Sequence, residues 1–294
     1  MSRSSSRSCE CGCRGNEVTT RPQDFDIELP LLIEAIYVKY HYDFRQYARA
    51  SLKRRLTAAL SYFDCPTLSQ LQDKVLRNPT MFPQLLDYLT VPVSEMFRDP
   101  SYFRALREHV IPILRTYPSL KVWVAGCSTG EEVYSLAILL REEGLLSRTL
   151  IYATDINPNS LQKAQAGIYD LSRVAGFTEN HRKSGARSSL SDYYTAAYGG
   201  VMLDKSLRQH IVFSDHSLAT DSVFAEVHLV SCRNVLIYFD RELQDRAVGL
   251  FREALVRKGF LGVGSKESLR FGSHADAFEE MVRDERIYRL RDPQ

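Results

Sequence analysis

The stretch Val122-Trp123-Val124-Ala125-Gly126-Cys127-Ser128-Thr129-Gly130-Glu131-Glu132 constrains this chain more than any other. It reads as an apolar strand, a glycine turn and a helix start, a unit that buries both faces only within a sheet covered by helices. Glycine lets the backbone approach a ligand closely, and the turn delivers that ligand to the carboxyl end of the strand. The rest of the C-terminal half keeps the same grammar. Strands are predicted at 120–124, 150–154, 211–213, 227–231, 260–263 and 287–290, with helices at 131–143, 159–165 and 241–258. The predicted fold is therefore α/β, a doubly wound, mainly parallel, Rossmann-like sheet.

The first part of the chain has a different period. Ile33, Ile36, Tyr37 and Tyr40 share one helical face, and Phe44, Ala48, Leu52, Leu56, Ala59, Leu60 and Phe63 follow as a second apolar stripe. Thr67 and Gln70 resemble a capping box opening a third helix, and Asn78-Pro79 punctuates its end. The expected organisation is a tail over 1–23, an all-helical domain over 24–90, a linker with one helix over 91–117, and the sheet domain over 118–294. Between 167 and 210 the alternation fails, and Tyr193-Tyr194, Gly199-Gly200 and Val201 to Leu203 read as a hairpin in an inserted antiparallel β-subdomain.

Composition excludes several classes. With 44% hydrophobic and 25% charged residues, the chain is neither disordered throughout nor a rod. A net charge of +2 creates no global field for nucleic acid. The apolar run from Tyr134 to Leu140 is too short to span a bilayer, and the first thirty residues hold no apolar signal core, so a cytoplasmic protein without membrane insertion is expected. Cys65, Cys127 and Cys232 are isolated in sequence. Cys9, Cys11 and Cys13 cluster in a Ser/Arg-rich tail with no histidine beside them, three ligands where tetrahedral zinc takes four, so no metal site is expected.

A dinucleotide fingerprint would place a third glycine at position 131 and offer a helix N-terminus to a pyrophosphate. Two glutamates stand there instead, a poor place for phosphate and a good one for a cation. Asp155 ends the next strand, where a carboxylate accepts from both hydroxyls of a ribose. An anionic mouth for an adenosine with positive charge points to S-adenosylmethionine. A third string, Ser231-Cys232-Arg233-Asn234-Val235-Leu236-Ile237-Tyr238-Phe239-Asp240, follows a later strand and faces the same crevice, although Asp240 with Gln244 also reads as a helix cap and Tyr238 as core.

Together with Val93-Ser94-Glu95-Met96-Phe97-Arg98-Asp99, these strings resemble the chemotaxis receptor methyltransferases of CheR type over roughly residues 24–290. The resemblance implies transfer of a methyl group from S-adenosylmethionine to glutamate carboxylates on cytoplasmic helices of chemoreceptors, with recruitment to receptor arrays. It implies a cofactor site on Ser94, Arg98, Glu131, Asp155, Ser217, Leu218, Arg233 and Asn234, to which the glycine turn adds Gly126, with Arg98 and Tyr238 near the reactive methyl. Where the family often has Asn, Thr and Asn, this chain has Pro92, Ser94 and Ser217, and the family's Gly-His-Ser-Glu string reads Gly264-Ser265-Lys266-Glu267.

A free glutamate, with a pKa of about 4.3, is already ionised at neutral pH, so transfer requires neither base nor metal. Arg98 can hold that carboxylate by two hydrogen bonds, the plain alternative being an ion pair with Asp99 or Glu95. Arg45, Arg49, Lys53, Arg54 and Arg55 form a basic stretch without an acid, with Arg45, Arg49 and Lys53 spaced as one ridge, a docking face for acidic receptor helices or a solvated surface. The short hairpin predicts weak or absent binding of a receptor tail. Small-molecule carboxyl methylation and a cofactor-binding receptor adaptor without turnover stay open, and oligomeric state is not legible.

Overall fold

In the computed structural model, which describes residues 22–270 and 272–292, the chain folds into a helical domain packed on a twisted α/β sheet. Cys9, Cys11 and Cys13 lie outside the described residues. The tail expected over 1–23 ends earlier, because the first helix already begins at Pro22.

The helical domain holds α1 (Pro22–Tyr40), α2 (Arg49–Tyr62), α3 (Leu68–Arg77) and α4 (Phe82–Leu89). Leu32, Ile36, Phe44, Leu56, Leu68 and Leu85 fill its core, and the Tyr40 and Phe82 rings stack 3.9 Å apart. Thr67 caps α3 by accepting from Gln70 N, but the returning half of the box comes from α1, where Glu28 accepts from Leu68 N and Ser69 Oγ.

The apolar spacing predicts a second helix running from Phe44, and the structure begins α2 at Arg49. The preceding segment is held by the other domain. Ala48 N donates to Tyr238 O, Asp240 N donates to Gln46 O, and Tyr47 bridges Phe239. Backbone groups bonded sideways cannot also close helical turns.

A linker helix, α5 (Pro100–Ala105), continues through a wide turn into α6 (Ile111–Leu114). The sheet domain then runs β1 (Leu120–Ala125), α7 (Glu131–Glu142), β2 (Thr149–Asp155) and α8 (Pro158–Ala166). The insertion follows as β3 (Ile168–Asp170), α9 (Val174–Lys183), β4 (Tyr194–Ala197), β5 (Gly200–Leu203) and α10 (Lys205–Arg208). The chain closes with β6 (Ile211–Asp215), β7 (Val227–Cys232), α11 (Arg241–Ala254), β8 (Leu255–Val263), β9 (Phe278–Val282) and β10 (Ile287–Leu290).

The main sheet has the order β6-β2-β1-β7-β8-β10-β9, and β3-β5-β4 form a separate antiparallel sheet. The first five strands of the main sheet are parallel, while β10 runs antiparallel between β8 and β9. This differs from the dinucleotide-binding order by the last strand inserting before its predecessor. The strand order reverses between β1 and β7, and crevices open beyond the carboxyl ends of strands at such points.

The sheet domain departs from the sequence expectation in two further features. The helix predicted over 241–258 stops at Ala254, because Leu255 pairs with Val227 and Lys258 adopts φ 60, which a helix does not contain. The strand β9 was also unforeseen, its two adjacent glutamates giving no clean alternation.

Candidate functional site

Beyond the ends of β1, β2 and β7 lies a crevice of about 910 Å³. Its walls come from the sheet loops, from the linker at Val91 to Ser94 and Arg98, and from the helical domain at Tyr47, Arg55 and Leu89. The first wall begins at Gly126, which follows β1 with φ 72, and a Cβ there would lie 2.4 Å from Val235 Cγ2. No side chain fits, so the turn presents bare backbone to the crevice.

Asp155, ending β2, braces that turn. Its carboxylate accepts from Ser128 N at 2.8 Å and from Asn157 N at 2.9 Å. Burial pushes its pKa up, while the backbone N–H groups pull against that shift. Each oxygen retains a lone pair for a further donor, the chemistry a ribose diol requires.

Arg233 follows β7 and is almost fully buried. Its Nη1 donates to Glu132 Oε2 at 3.2 Å, and its Nη2 donates to Asp99 Oδ2 at 2.8 Å and Arg98 O at 3.0 Å. The guanidinium lies 4.1 Å from the Tyr102 ring centre, and Ser231 Oγ donates to Glu132 Oε1. Asn234, at φ 61, gives its N–H to Glu267, which also receives those of Ile237 and Gly264. One buried carboxylate therefore shapes the loop that carries Tyr238.

Arg98 stands between Phe97 (φ 53) and Asp99 (φ 56), two left-handed residues in succession around it. Such backbone costs about 1–3 kcal/mol per residue and survives only when its surroundings hold it. Here Phe97 is wholly buried, its N–H donates to Ser135 Oγ, and Asp99 is clamped by Arg233. The expected alternative, an Arg98 pair with Asp99 or Glu95, is absent: among the described residues the Arg98 side chain has no hydrogen bond or ion pair. Tyr238 also lines the crevice, and its hydroxyl has no hydrogen bond among the described residues.

The structure thus gathers Ser94, Arg98, Gly126, Asp155, Leu218, Arg233, Asn234 and Tyr238 around one crevice. Two expected cofactor residues lie outside its lining. Glu131 is fully buried, accepting from Arg173 at 2.8 Å and from Thr129 Oγ1 at 2.6 Å, and its neighbour Glu132 faces the crevice instead. Successive helical residues diverge by roughly 100°, so only one of two adjacent glutamates can point there. Ser217 is occupied locally, its hydroxyl accepting from Ala219 N, while Leu218 and His216 line the wall. Asp240 is the N-cap of α11, as its spacing with Gln244 allowed.

The basic stretch divides. Arg45 precedes α2, so the ridge with Arg49 and Lys53 is not continuous. It pairs with Asp43 and stacks on Tyr37 at 3.7 Å. Arg49 pairs with Asp26, and Lys53 lies over the Phe25 ring. Arg54 is exposed, with no hydrogen bond or ion pair among the described residues. Arg55, expected on the docking face, is only 6% exposed and lines the crevice. The reason is helical geometry: it occupies the i+3 slot of the buried stripe Leu52, Leu56, Ala59. That spacing was the signal sequence reasoning passed over. Tyr47, also missed, reaches the crevice only because its segment pairs with the Tyr238 loop.

The crevice fits an S-adenosyl nucleoside. It offers a glycine turn, a carboxylate at Asp155 with lone pairs open to a diol, apolar walls at Ile156, Leu218, Val235 and Phe239, and an acidic group at Glu132. No cluster of residues suited to a metal occurs among the described residues, and none of their helices is long and apolar enough to cross a membrane.

Comparison with known proteins agrees. Residues 92–287 match the family model described as CheR methyltransferase, SAM binding domain, and residues 27–90 match CheR methyltransferase, all-alpha domain. The chain is 62% identical over 270 residues to the Pseudomonas putida protein named Cher3, covering 92% of this chain and 99% of that one. It is 31% identical to a Listeria innocua chemotaxis protein methyltransferase, covering 77% and 84%, and 30% identical to one from Salmonella typhimurium, covering 71% and 68%.

Proposed function

We propose, because the chain belongs to the CheR methyltransferase family and takes S-adenosylmethionine as its methyl donor, that it methylates glutamate side chains on cytoplasmic helices of chemoreceptors. The observation that carries this reading is Arg98. It is a guanidinium unpaired among the described residues and held at the crevice between two left-handed residues, suited to an incoming carboxylate.

The residues divide the work. Gly126 and Asp155 seat the nucleoside, Leu218 and Val235 pack its base, and Glu132 with Arg233 sets the local charge. When bound, S-adenosylmethionine supplies an electrophilic methyl on positive sulfur; a glutamate oxygen bonds that carbon as the carbon–sulfur electron pair returns to sulfur, and no proton moves. Opposite charges become neutral products, so a site that excludes water favours the transition state. The linker and Tyr47 wall the crevice and supply that exclusion. Arg98 orients the carboxylate, and Tyr238 donates from its free hydroxyl. Ser94 and Asn234 complete the lining, and Arg54 and Lys53 offer exposed cations to an acidic receptor helix. Glu131 acts at one remove, holding Arg173, which in turn donates to Ser94 O.

The test is transfer of labelled methyl from S-adenosylmethionine to cytoplasmic fragments of the host's chemoreceptors. The expected result is base-labile label on glutamate. Label on free small acids with none on receptor, or donor binding without any transfer, overturns it.

A further inference from the structure

Arg55 is a cation in an apolar slot. It is 6% exposed, its Nη1 donates to Leu89 O, and its guanidinium packs 4.2 Å from the centre of the Tyr238 ring. Its Nε and Nη2 are buried, with no hydrogen-bond partner among the described residues. Those two nitrogens form the edge of a guanidinium that meets a carboxylate through two parallel hydrogen bonds. No carboxylate pairs with Arg55 among the described residues, nor with Arg98, whereas Arg233 on the same crevice holds Glu132 and Asp99. Burying an arginine without its counter-ion is costly, and a polar edge left open against a binding crevice points to a ligand that completes it.

We infer that Arg55 receives the acceptor carboxylate of the substrate glutamate through Nε and Nη2, holding it against Tyr238 while Arg98 meets it from the linker. This deepens the glutamate-methyltransferase reading and rests on it. A second carboxylate has the same chemistry, the one on the methionine end of the donor. The position of Arg55 favours the substrate. It belongs to α2, whose outer face carries Lys53 and Arg54, so a receptor helix docked there places a glutamate one helical face away from Arg55. Arg55 forms no covalent bond. It fixes the oxygen that attacks, and the electron pair freed from carbon stays on sulfur.

The experiment uses the full chain as Arg55→Gln, Arg55→Lys and Arg55→Met, with receptor fragments carrying either glutamate or glutamine at the target positions. In wild type with S-adenosylhomocysteine bound, the glutamate fragment should bind about 10-fold tighter than the glutamine one. Arg55→Gln should bind both alike and lower kcat/KM for methyl transfer by about 100-fold, with Arg55→Lys between the two. S-adenosylhomocysteine should bind each variant within about threefold of wild type. Arg55→Met, which removes an unpaired buried charge, should melt at or above the wild-type temperature.

Retained glutamate preference in Arg55→Gln overturns the proposal. So does a large loss of S-adenosylhomocysteine affinity with binding of 5′-methylthioadenosine, which lacks the carboxylate, unchanged; that pattern assigns Arg55 to the donor. A lower melting temperature for Arg55→Met with preference intact makes Arg55 structural. If wild type methylates no receptor fragment, the parent reading fails, whatever Arg55 does.

Discussion

The sheet side of the crevice and the side built by the helical domain and linker treat arginine differently. On the sheet side, Arg233 is locked between Glu132 and Asp99, and Arg173 is held by the buried Glu131. On the other side, Arg98 and Arg55 face the same space with no carboxylate paired to either among the described residues. A buried ion pair whose partners are fixed in the fold contributes geometry, since its attraction roughly offsets the cost of drying both charges. A guanidinium whose partner is absent from the fold contributes affinity for whatever brings that partner. Under the proposed function the sheet side is framework and the other side is the receiving surface.

The largest test of this division is Arg233→Met. It strands Glu132 and Asp99 in a partly dry site and should cost about 3–5 kcal/mol in urea unfolding. A loss below about 1 kcal/mol would mean that the framework does not depend on the pair. Next is Asp155→Asn, which weakens both the turn brace and the diol contact. S-adenosylhomocysteine affinity by calorimetry should fall about 100-fold with the fold retained. Arg98→Ala should lower turnover about 30-fold while leaving that affinity within about threefold. Equal losses in both would move Arg98 from substrate to donor.

A locked arginine away from the crevice supplies a pH test. Arg107 joins Glu142 and Glu143 beneath the insertion. Burial pushes the Glu142 carboxyl up, yet hydrogen bonds from His181, Ser188 and Arg107 prevail and hold it at about 2, against 4.5 when unperturbed. Its stabilisation is then fully present above the unfolded value and is lost as pH falls toward 2. Wild type should exceed Glu142→Gln in stability at pH 7, and the gap should close through that acid range in denaturant titrations. Smallest of all, Arg45→Gln and Arg49→Gln remove exposed pairs and should change stability by less than about 1 kcal/mol, with KM for receptor fragments altered about twofold.

How much was legible depended on the distance over which each residue's placement is decided. Gly126, Asp155 and Arg233 sit where a strand ends, and strand, turn and helix are written within a dozen or so residues, so the crevice could be read. The acidic mouth expected from Glu131 and Glu132 is not what forms, because Arg173 and Arg233 pair with them and the lining sets Arg55, Arg98 and Arg233 against Glu132 and Asp155. The choice between Glu131 and Glu132 turns on one step of helical rotation, and residue type alone does not supply it. The start of α2 was misplaced because Phe44 and Ala48 continue a helical spacing, while the bonds that claim their segment come from Tyr238 and Asp240, far along the chain. Arg55 was readable from its slot among Leu52, Leu56 and Ala59, but its charge drew it into a surface ridge. The change from α11 to β8 at Leu255 depends on pairing with Val227, another long-range contact.

The stitch joining Gln46 and Ala48 to Asp240 and Tyr238 has a consequence for anyone dividing this protein into parts. A truncated enzyme beginning at the linker would retain every glycine and acid of the nucleoside cradle yet lose Tyr47 and Arg55 from its rim. Grafting helical domains between relatives would likewise exchange part of the crevice wall, Tyr47 and Arg55, together with the helices. Under the proposed function, recognition of a receptor and chemistry upon it would be inherited as one piece.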